Sequence, residues 1–380
     1  MKITDVETFI VRQELGPEAQ FCYSQAWYSD RTLLLLRVRT DEGLEGWGEA
    51  FGPAIPHKAI IDSLYGPHLI GRDPFDSSVI WNELYNKLRD HGQKGLSIEA
   101  LSAVDIALWD LKGKFTGLPV YKLMGGSHRK RILPYATGMY RRKNGIEHQS
   151  IASEAQSYVE SGFKAVKIKI GFGYDYDVSA VQSVREAIGA GIRLMVDANH
   201  AYNASMAIRI GKAIQDFDIS WFEEPVPPED IQGYKEVRDA LDIPIAGGEA
   251  EFTSYGFYRL FHERAIDIAQ PDCAVTGGIS EFLKIASLAS IHNIQCYPHV
   301  WGSAIALMTG VHCCFILPDF PNSLNPGPAL LEMDRTPNIF REELNLNHLK
   351  RDDDGWILPP TDPGLGVKVD MNLVDNHRIA

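Results

Sequence analysis

The chain has 380 residues, 45% of them hydrophobic and 23% charged, which is enough for a large core and two domains. Its formal net charge of −13 argues against a nucleic-acid partner, which needs a basic face. An anionic substrate would have to be held by local lysines, arginines or a metal, because the overall field does not attract it.

Five cysteines, Cys22, Cys273, Cys296, Cys313 and Cys314, occur without a CxxC pair. That usage fits a reduced, cytoplasmic protein better than a disulfide framework. The opening MKITDVETFIVRQ alternates like a strand and has no charged-then-apolar leader, and no apolar run is long enough to span a membrane. A membrane partner is therefore not expected.

Residues 1–50 read as β structure. Thr32–Thr40 and Glu45–Ala50 flank the turn Asp41-Glu42-Gly43, as in a hairpin. Phe21–Asp30 is aromatic and polar without periodicity and is predicted to be a loop, with Tyr23, Trp27 and Arg31 as candidate ligand contacts. Residues 57–125 read as helices. Leu101, Val104, Leu108 and Leu111 recur at helical spacing behind Ser97 as the N-cap, and Gly113 and Gly117 mark the end. Gly125-Gly126 reads as a linker, which places a domain boundary near 125–130.

The pattern then changes. Strand-like runs begin near Ile132, Lys164, Arg193, Ile219, Pro244, Asp267, Ile294 and Leu330, at intervals of 23 to 36 residues, with helical stretches between them. Eight such βα units predict a closed parallel barrel. GFGYDY at 171–176 does not fit the dinucleotide fingerprint GxGxxG. Residues 351–380 return to turns and a short β-like run, GVKVD.

A (β/α) barrel carries its site at the C-terminal strand ends. Here those ends supply Lys167 and Lys169, Asp197, Glu223 and Glu224, Glu249, Asp272, His299 and Glu332. Single strand-end carboxylates usually cap helices or pair with lysines. Three on successive strands, Asp197, Glu223 and Glu249, would repel and raise one another's pKa values unless a divalent cation lay between them. All-oxygen ligation suits magnesium, with manganese as the alternative. Glu223 is preferred to Glu224 because neighbouring strand residues point to opposite faces. By the same alternation Lys167 and Lys169 both point inward, where each is expected to depress the other's pKa so that one can act as a base. Asp272 on the neighbouring strand can hold His299 in one tautomer, as a dyad.

The motifs KIK, DAN, FEEP, GGE, QPD and PH, at these intervals, resemble the mandelate racemase subgroup of the enolase superfamily over nearly the whole chain. The resemblance implies a (β/α)7β barrel over 128–350, beneath an N-terminal α+β capping domain of residues 1–127 completed by 351–380. It implies one Mg²⁺ per site on Asp197, Glu223 and Glu249. Lys169, assisted by Lys167, would act on one side of the substrate, and His299 with Asp272 on the other. Glu332 would donate a hydrogen bond to a substrate carboxylate in protonated form. A homo-oligomer, dimer to octamer, is also implied.

The stretches GLSIEALSAVDIALWDLKGK, VDANHAY, WFEEPV and YPHVWG are most similar to galactaro-lactone cycloisomerases, and next to acid-sugar dehydratases. On that footing Asn199, His200 and Trp301 join Tyr23 and Trp27 as candidate contacts for an acid sugar or its lactone. A racemase or epimerase and a catalytically inactive binding barrel remain as alternatives. An amidohydrolase-type barrel is disfavoured, because no HxH pair occurs.

Overall fold

The structure is a computed structural model and describes residues 1–142 and 148–380. Strands β1 (Ile3–Glu14), β4 (Asp30–Thr40) and β5 (Glu45–Ala50) form an antiparallel sheet in the order β1-β4-β5. The hairpin turns at Gly43, whose φ of 75° suits glycine. One face of this sheet, with Ile10, Leu34, Leu36 and Val38, packs on the helix Leu96–Thr116. Gly48 is required there because a Cβ would collide with the carbonyl of Ala103.

That helix corrects two expectations. Its N-cap is Gly95, and Ser97 lies in the first turn, where its hydroxyl donates to the Gly92 carbonyl at 3.1 Å. Gly117 ends the helix in the left-handed conformation, but Gly113 is inside it, packed against Gly364. Its lack of a side chain serves close packing between segments and not a turn.

The aromatic segment is not the plain loop predicted. β2 (Phe21–Cys22) pairs with β3 (Trp27–Tyr28) and with β7 (Arg141–Arg142), giving a small sheet in the order β3-β2-β7. Phe21 stacks on Tyr28 at 5.4 Å and meets Tyr140 edge-on at 4.8 Å. These ring contacts, made with a distant part of the chain, organise a segment with no periodicity of its own.

The eight parallel strands are β6 (Leu133–Gly138), β8 (Ala165–Lys169), β9 (Arg193–Asp197), β10 (Ile219–Glu223), β11 (Ile245–Gly247), β12 (Ile268–Ala269), β13 (Gln295–Cys296) and β14 (Leu330–Asp334). They form one curled sheet in the order β13-β12-β11-β10-β9-β8-β6-β14, with helices between successive strands. The strands fall where the apolar runs predicted them, and the architecture is the expected TIM-like barrel with an N-terminal α+β domain. Among the described residues no backbone ladder joins β13 to β14. Tyr297 donates to the Pro328 carbonyl at 3.1 Å and the Val300 amide to Glu332 at 3.3 Å, and these bonds draw the two edges together.

The C-terminal segment returns to β1, where Ile379 donates to the Ile10 carbonyl at 2.8 Å. It includes a helix, Met371–His377, that the turn-rich reading did not give. All five cysteines are free and buried. Among the described residues no helix is long and apolar enough to cross a membrane.

Candidate active site

Register levels the strand ends. Lys169 pairs with Asp197 across β8 and β9, and Asp197 pairs with Glu223 across β9 and β10. Glu249 follows two residues after β11 ends. One carboxylate oxygen from each of Asp197, Glu223 and Glu249 lies within 4.8 Å of the others. Glu249 Oε2 is buried without a hydrogen-bond partner. Three convergent carboxylates with an unsatisfied buried oxygen fit a hard divalent cation, which prefers oxygen ligands.

The carboxylates are also held by hydrogen bonds from neighbouring groups. Glu223 Oε2 accepts from Trp221 Nε1 at 2.9 Å and Gln270 Nε2 at 2.7 Å, and Asp197 Oδ1 accepts from the Asn199 amide at 2.8 Å. Such bonds fix the ligand rotamers. Glu224 points away from the cluster, toward His200, as strand alternation requires.

Lys167 is fully buried. Its Nζ donates to Glu223 at 2.5 Å and lies 2.9 Å from Glu332 and 3.7 Å from Asp197. Lys169 donates to Asp197 and, at 3.0 Å, to Asn199 Oδ1. Burial pulls both ammonium groups down. Glu223 and Glu332 outweigh it for Lys167, and Asp197 for Lys169, so both stand well above the ordinary lysine value. Lys167 does lower Lys169, as expected, but the Asp197 and Glu249 carboxylates outweigh it.

The carboxylates divide for the same reason. Burial raises Glu223 and Glu249, whereas the two lysines overcome burial at Asp197 and lower it.

His299 Nδ1 lies 2.7 Å from Asp272 Oδ2, and the Ala274 amide donates to Asp272 Oδ1 at 2.7 Å. His299 Nε2 faces Glu249 Oε2 at 3.4 Å and Glu332 at 3.9 Å. Burial opposes charge on the imidazole, but Glu249, Glu332 and Asp272 push its pKa up to about 10. Glu332 also accepts from Thr137 at 2.5 Å. Burial would raise its carboxyl, yet Lys167 and His299 hold it down at about 2.

A cavity opens over these groups. Lys169, Asn199, His200, Glu249 and His299 line it, with Tyr23 and Trp301 from the predicted contacts. Trp27 lies outside that lining and is 49% exposed. Arg31 is buried behind the wall, bonded to Asp334 at 2.8 Å and to Thr336, with its guanidinium 3.8 Å from the Trp301 ring. Tyr28, Phe51 and Tyr140 also line the cavity and were not singled out from the sequence. Tyr140 could have been found, because it lies two residues past the end of β6. Phe51 gave no signal.

Two carboxylates of the N-terminal domain reach barrel helices beside the dyad. Glu49 accepts from the Ser303 amide at 2.9 Å, the Ser303 hydroxyl at 2.5 Å and the Ala306 amide at 3.1 Å, at the start of the helix Ala304–Ile316. Asp105 accepts from the Ser280 amide at 2.8 Å and hydroxyl at 2.6 Å, at the start of the helix Gly278–Ile291. On the lysine side, Asp177 accepts from the Gly171, Phe172 and Gly173 amides at 3.0–3.1 Å.

A barrel whose strand ends gather two lysines, three convergent carboxylates and a histidine–aspartate pair defines a class. The chain belongs to the mandelate racemase / muconate lactonizing enzyme family of the enolase superfamily. Residues 6–125 match that family's N-terminal domain, and residues 150–373 the enolase C-terminal domain-like family. Among its relatives, the D-galactarolactone cycloisomerase of Agrobacterium fabrum is 41% identical, over 100% of this chain and 99% of that one. The crystal structure of the 3,6-anhydro-D-galactonate cycloisomerase from Zobellia galactanivorans superposes with a TM-score of 0.89 at 39% identity, over the whole of both chains. A mutant L-talarate/galactarate dehydratase liganded with Mg and L-glucarate superposes with a TM-score of 0.87 at 27% identity, over 100% of this chain and 92% of that one.

Proposed function

We propose that the protein is an Mg²⁺-dependent enzyme that removes the proton α to a carboxylate of an acid sugar or its lactone and expels the β oxygen. The favoured substrate is D-galactaro-1,4-lactone, whose β oxygen is the ring oxygen. Its loss opens the lactone to a 3-deoxy-2-keto-hexarate. The observation that carries this reading is that Lys169, Glu249 and His299 line one cavity. Asn199, which bonds Lys169, lies 3.5 Å from Glu249 Oε1, and His299 lies 3.4 Å from Oε2. The cycloisomerase relatives support the choice of substrate.

Asp197, Glu223 and Glu249 are the proposed ligands. When bound there, Mg²⁺ supplies positive charge against the negative charge that develops on the substrate carboxylate. Lys169 would then lose the charge of Asp197 that holds it protonated, and burial would bring its pKa toward that of a usable base. Lys167 assists by keeping positive charge beside it. His299, oriented by Asp272, handles a proton on the opposite face. Glu332 is proposed to meet the substrate carboxylate, whose added negative charge favours the protonated, donating form.

Tyr23, Asn199, His200 and Trp301, which line the cavity, are proposed substrate contacts. We also place the boundary between the capping domain and barrel at 127/128, with 351–380 completing the former, and propose a cytoplasmic homo-oligomer.

The second reading is an acid-sugar dehydratase, which the dehydratase relatives favour. A panel of acid sugars and lactones, followed by NMR in D₂O with Mg²⁺, separates the two. Turnover of open-chain acids without lactones would overturn the cycloisomerase reading. Deuterium exchange without elimination would point to a racemase or epimerase.

A further inference from the structure

The proposed ring opening creates a second carboxylate. The oxygen that leaves the β carbon of D-galactaro-1,4-lactone belongs to the lactone, so it departs as a carboxylate and takes no proton. Negative charge therefore grows at that end of the substrate, where a donor already in place stabilises the transition state. The proposed Mg²⁺ ligands serve the other end. The aromatic corner of the cavity holds such a donor. Tyr140 lines the cavity with Lys169 and His299 and is only 3% exposed. Its ring centroid lies 5.4 Å from Lys169 Nζ. Its phenol oxygen accepts from Trp301 Nε1 at 3.0 Å, and among the described residues nothing accepts its own hydrogen. Burial raises its pKa and keeps that hydrogen in place. A buried hydroxyl with an unclaimed hydrogen, facing a cavity, calls for an acceptor on the ligand.

The residues behind Tyr140 strengthen it as a donor. The Arg31 guanidinium lies 3.8 Å from the Trp301 ring. Arg31 is buried and shares the Asp334 carboxylate with Arg341, at 2.8 Å and 2.6 Å. A cation stacked on an indole polarises its N–H, and that N–H polarises the phenol it donates to, so each bond makes the next group a better donor. The buried cation thus acts on the cavity through Trp301 and Tyr140 without meeting the ligand. Tyr28 at 4.9 Å and Phe51 at 5.6 Å hold the Trp301 ring in place.

Resting on the proposed lactone reading, we infer that Tyr140 is a catalytic residue whose hydroxyl donates a hydrogen bond to the carboxylate released from the lactone. The α C–H electron pair passes through the enediolate into the bond between the α and β carbons. The β carbon–oxygen bond breaks with both electrons on oxygen, and the charge comes to rest on the new carboxylate. Tyr140 keeps its proton throughout, and the resulting enol ketonises. The one proton released is the α proton, and no oxidant or reductant enters the balance. In an open-chain hexarate the distal carboxylate exists before reaction, so there the same bond would aid binding and not turnover.

The test is Tyr140→Phe in the full-length protein with Mg²⁺ and D-galactaro-1,4-lactone, followed by NMR in D₂O. Product formation is expected to fall ~10–100-fold, as for losing a hydrogen bond to a charged group, while KM barely changes and recovered lactone gains deuterium at the α carbon. Binding of the 3-deoxy-2-keto-hexarate product, read by calorimetry, should weaken by a similar factor. Trp301→Phe removes the N–H behind the phenol and should give the same pattern with a smaller loss. It also serves as the second variant if Tyr140→Phe does not fold. Product formation at the wild-type rate overturns the inference, as does joint loss of product and exchange in a folded variant. A wild-type protein that neither exchanges nor converts any acid sugar or lactone overturns the underlying reading instead.

Discussion

The two walls of the cavity are built differently. On the lysine wall the barrel positions most of its own groups, with Ser24 and Gln25 of the N-terminal domain adding bonds to the Ala198 and Asn199 carbonyls. Ladder register levels Lys169 with Asp197 and Glu223, and Asp177 pins the loop after β8 from within. On the histidine wall the strands are only two residues long, and Asp272 and His299 sit on the loops beyond them. Those loops run into helices whose first turns are held by Glu49 and Asp105 of the N-terminal domain. The lesson is that one wall depends mainly on the sheet and the other mainly on contact between domains, so the two should fail largely separately.

The largest effects test the walls directly. Lys169→Ala and His299→Ala should each abolish turnover, a loss of about 10²–10⁴-fold or more, with circular dichroism unchanged. Near-normal activity in Lys169→Ala would mean the pocket is elsewhere. Next comes Glu249→Ala, which should weaken Mg²⁺ binding in calorimetry by more than the ~10–100-fold typical of losing an outer partner. His299→Ala should leave Mg²⁺ affinity nearly intact.

Glu49→Ala sharpens the comparison. It leaves the Ser303 and Ala306 donors buried and unpaired, at about 1–3 kcal/mol of stability by denaturant titration. It should also lower kcat while sparing Mg²⁺ affinity. An equal loss of both would show that the walls are not independent.

The smallest effect is on pH dependence. Burial pushes the Glu49 carboxyl from 4.5 up to about 7, although Ser303 and Ala306 donate to it. A carboxyl raised on folding binds its proton more tightly in the folded state. Its contribution to stability is therefore present below pH ~4.5 and lost as pH rises through ~7. Over that window wild type should lose stability relative to Glu49→Gln in thermal melts. Parallel profiles would remove Glu49 as the source.

Most of the barrel was legible because its strands are apolar runs that stop at a charge, a pattern local in sequence. The metal-type cluster was legible for the same reason, since each carboxylate ends its own run. What escaped depends on distant partners. The small sheet of Phe21 and Tyr28 is completed by Arg141–Arg142 and packed by Tyr140, far along the chain. The helix Met371–His377 lies in a segment that docks on β1. The sign of the lysine shifts depends on how many carboxylates lie within reach of Nζ, which spacing along the chain does not give. Glu49 read as one more strand residue in EGWGEA until the helix it caps was in view.

The missing ladder between β13 and β14 has a mechanical consequence. Side-chain bonds draw that junction together, and it lies beside His299 and Glu332. Elsewhere around the cavity, parting neighbouring strands would break backbone bonds. Among the described residues the Tyr297 and Val300 bonds and the His299–Glu332 ion pair resist here, so this is the compliant edge of the mouth. Redesign for a bulkier substrate should start there, where room can be made without unzipping the sheet.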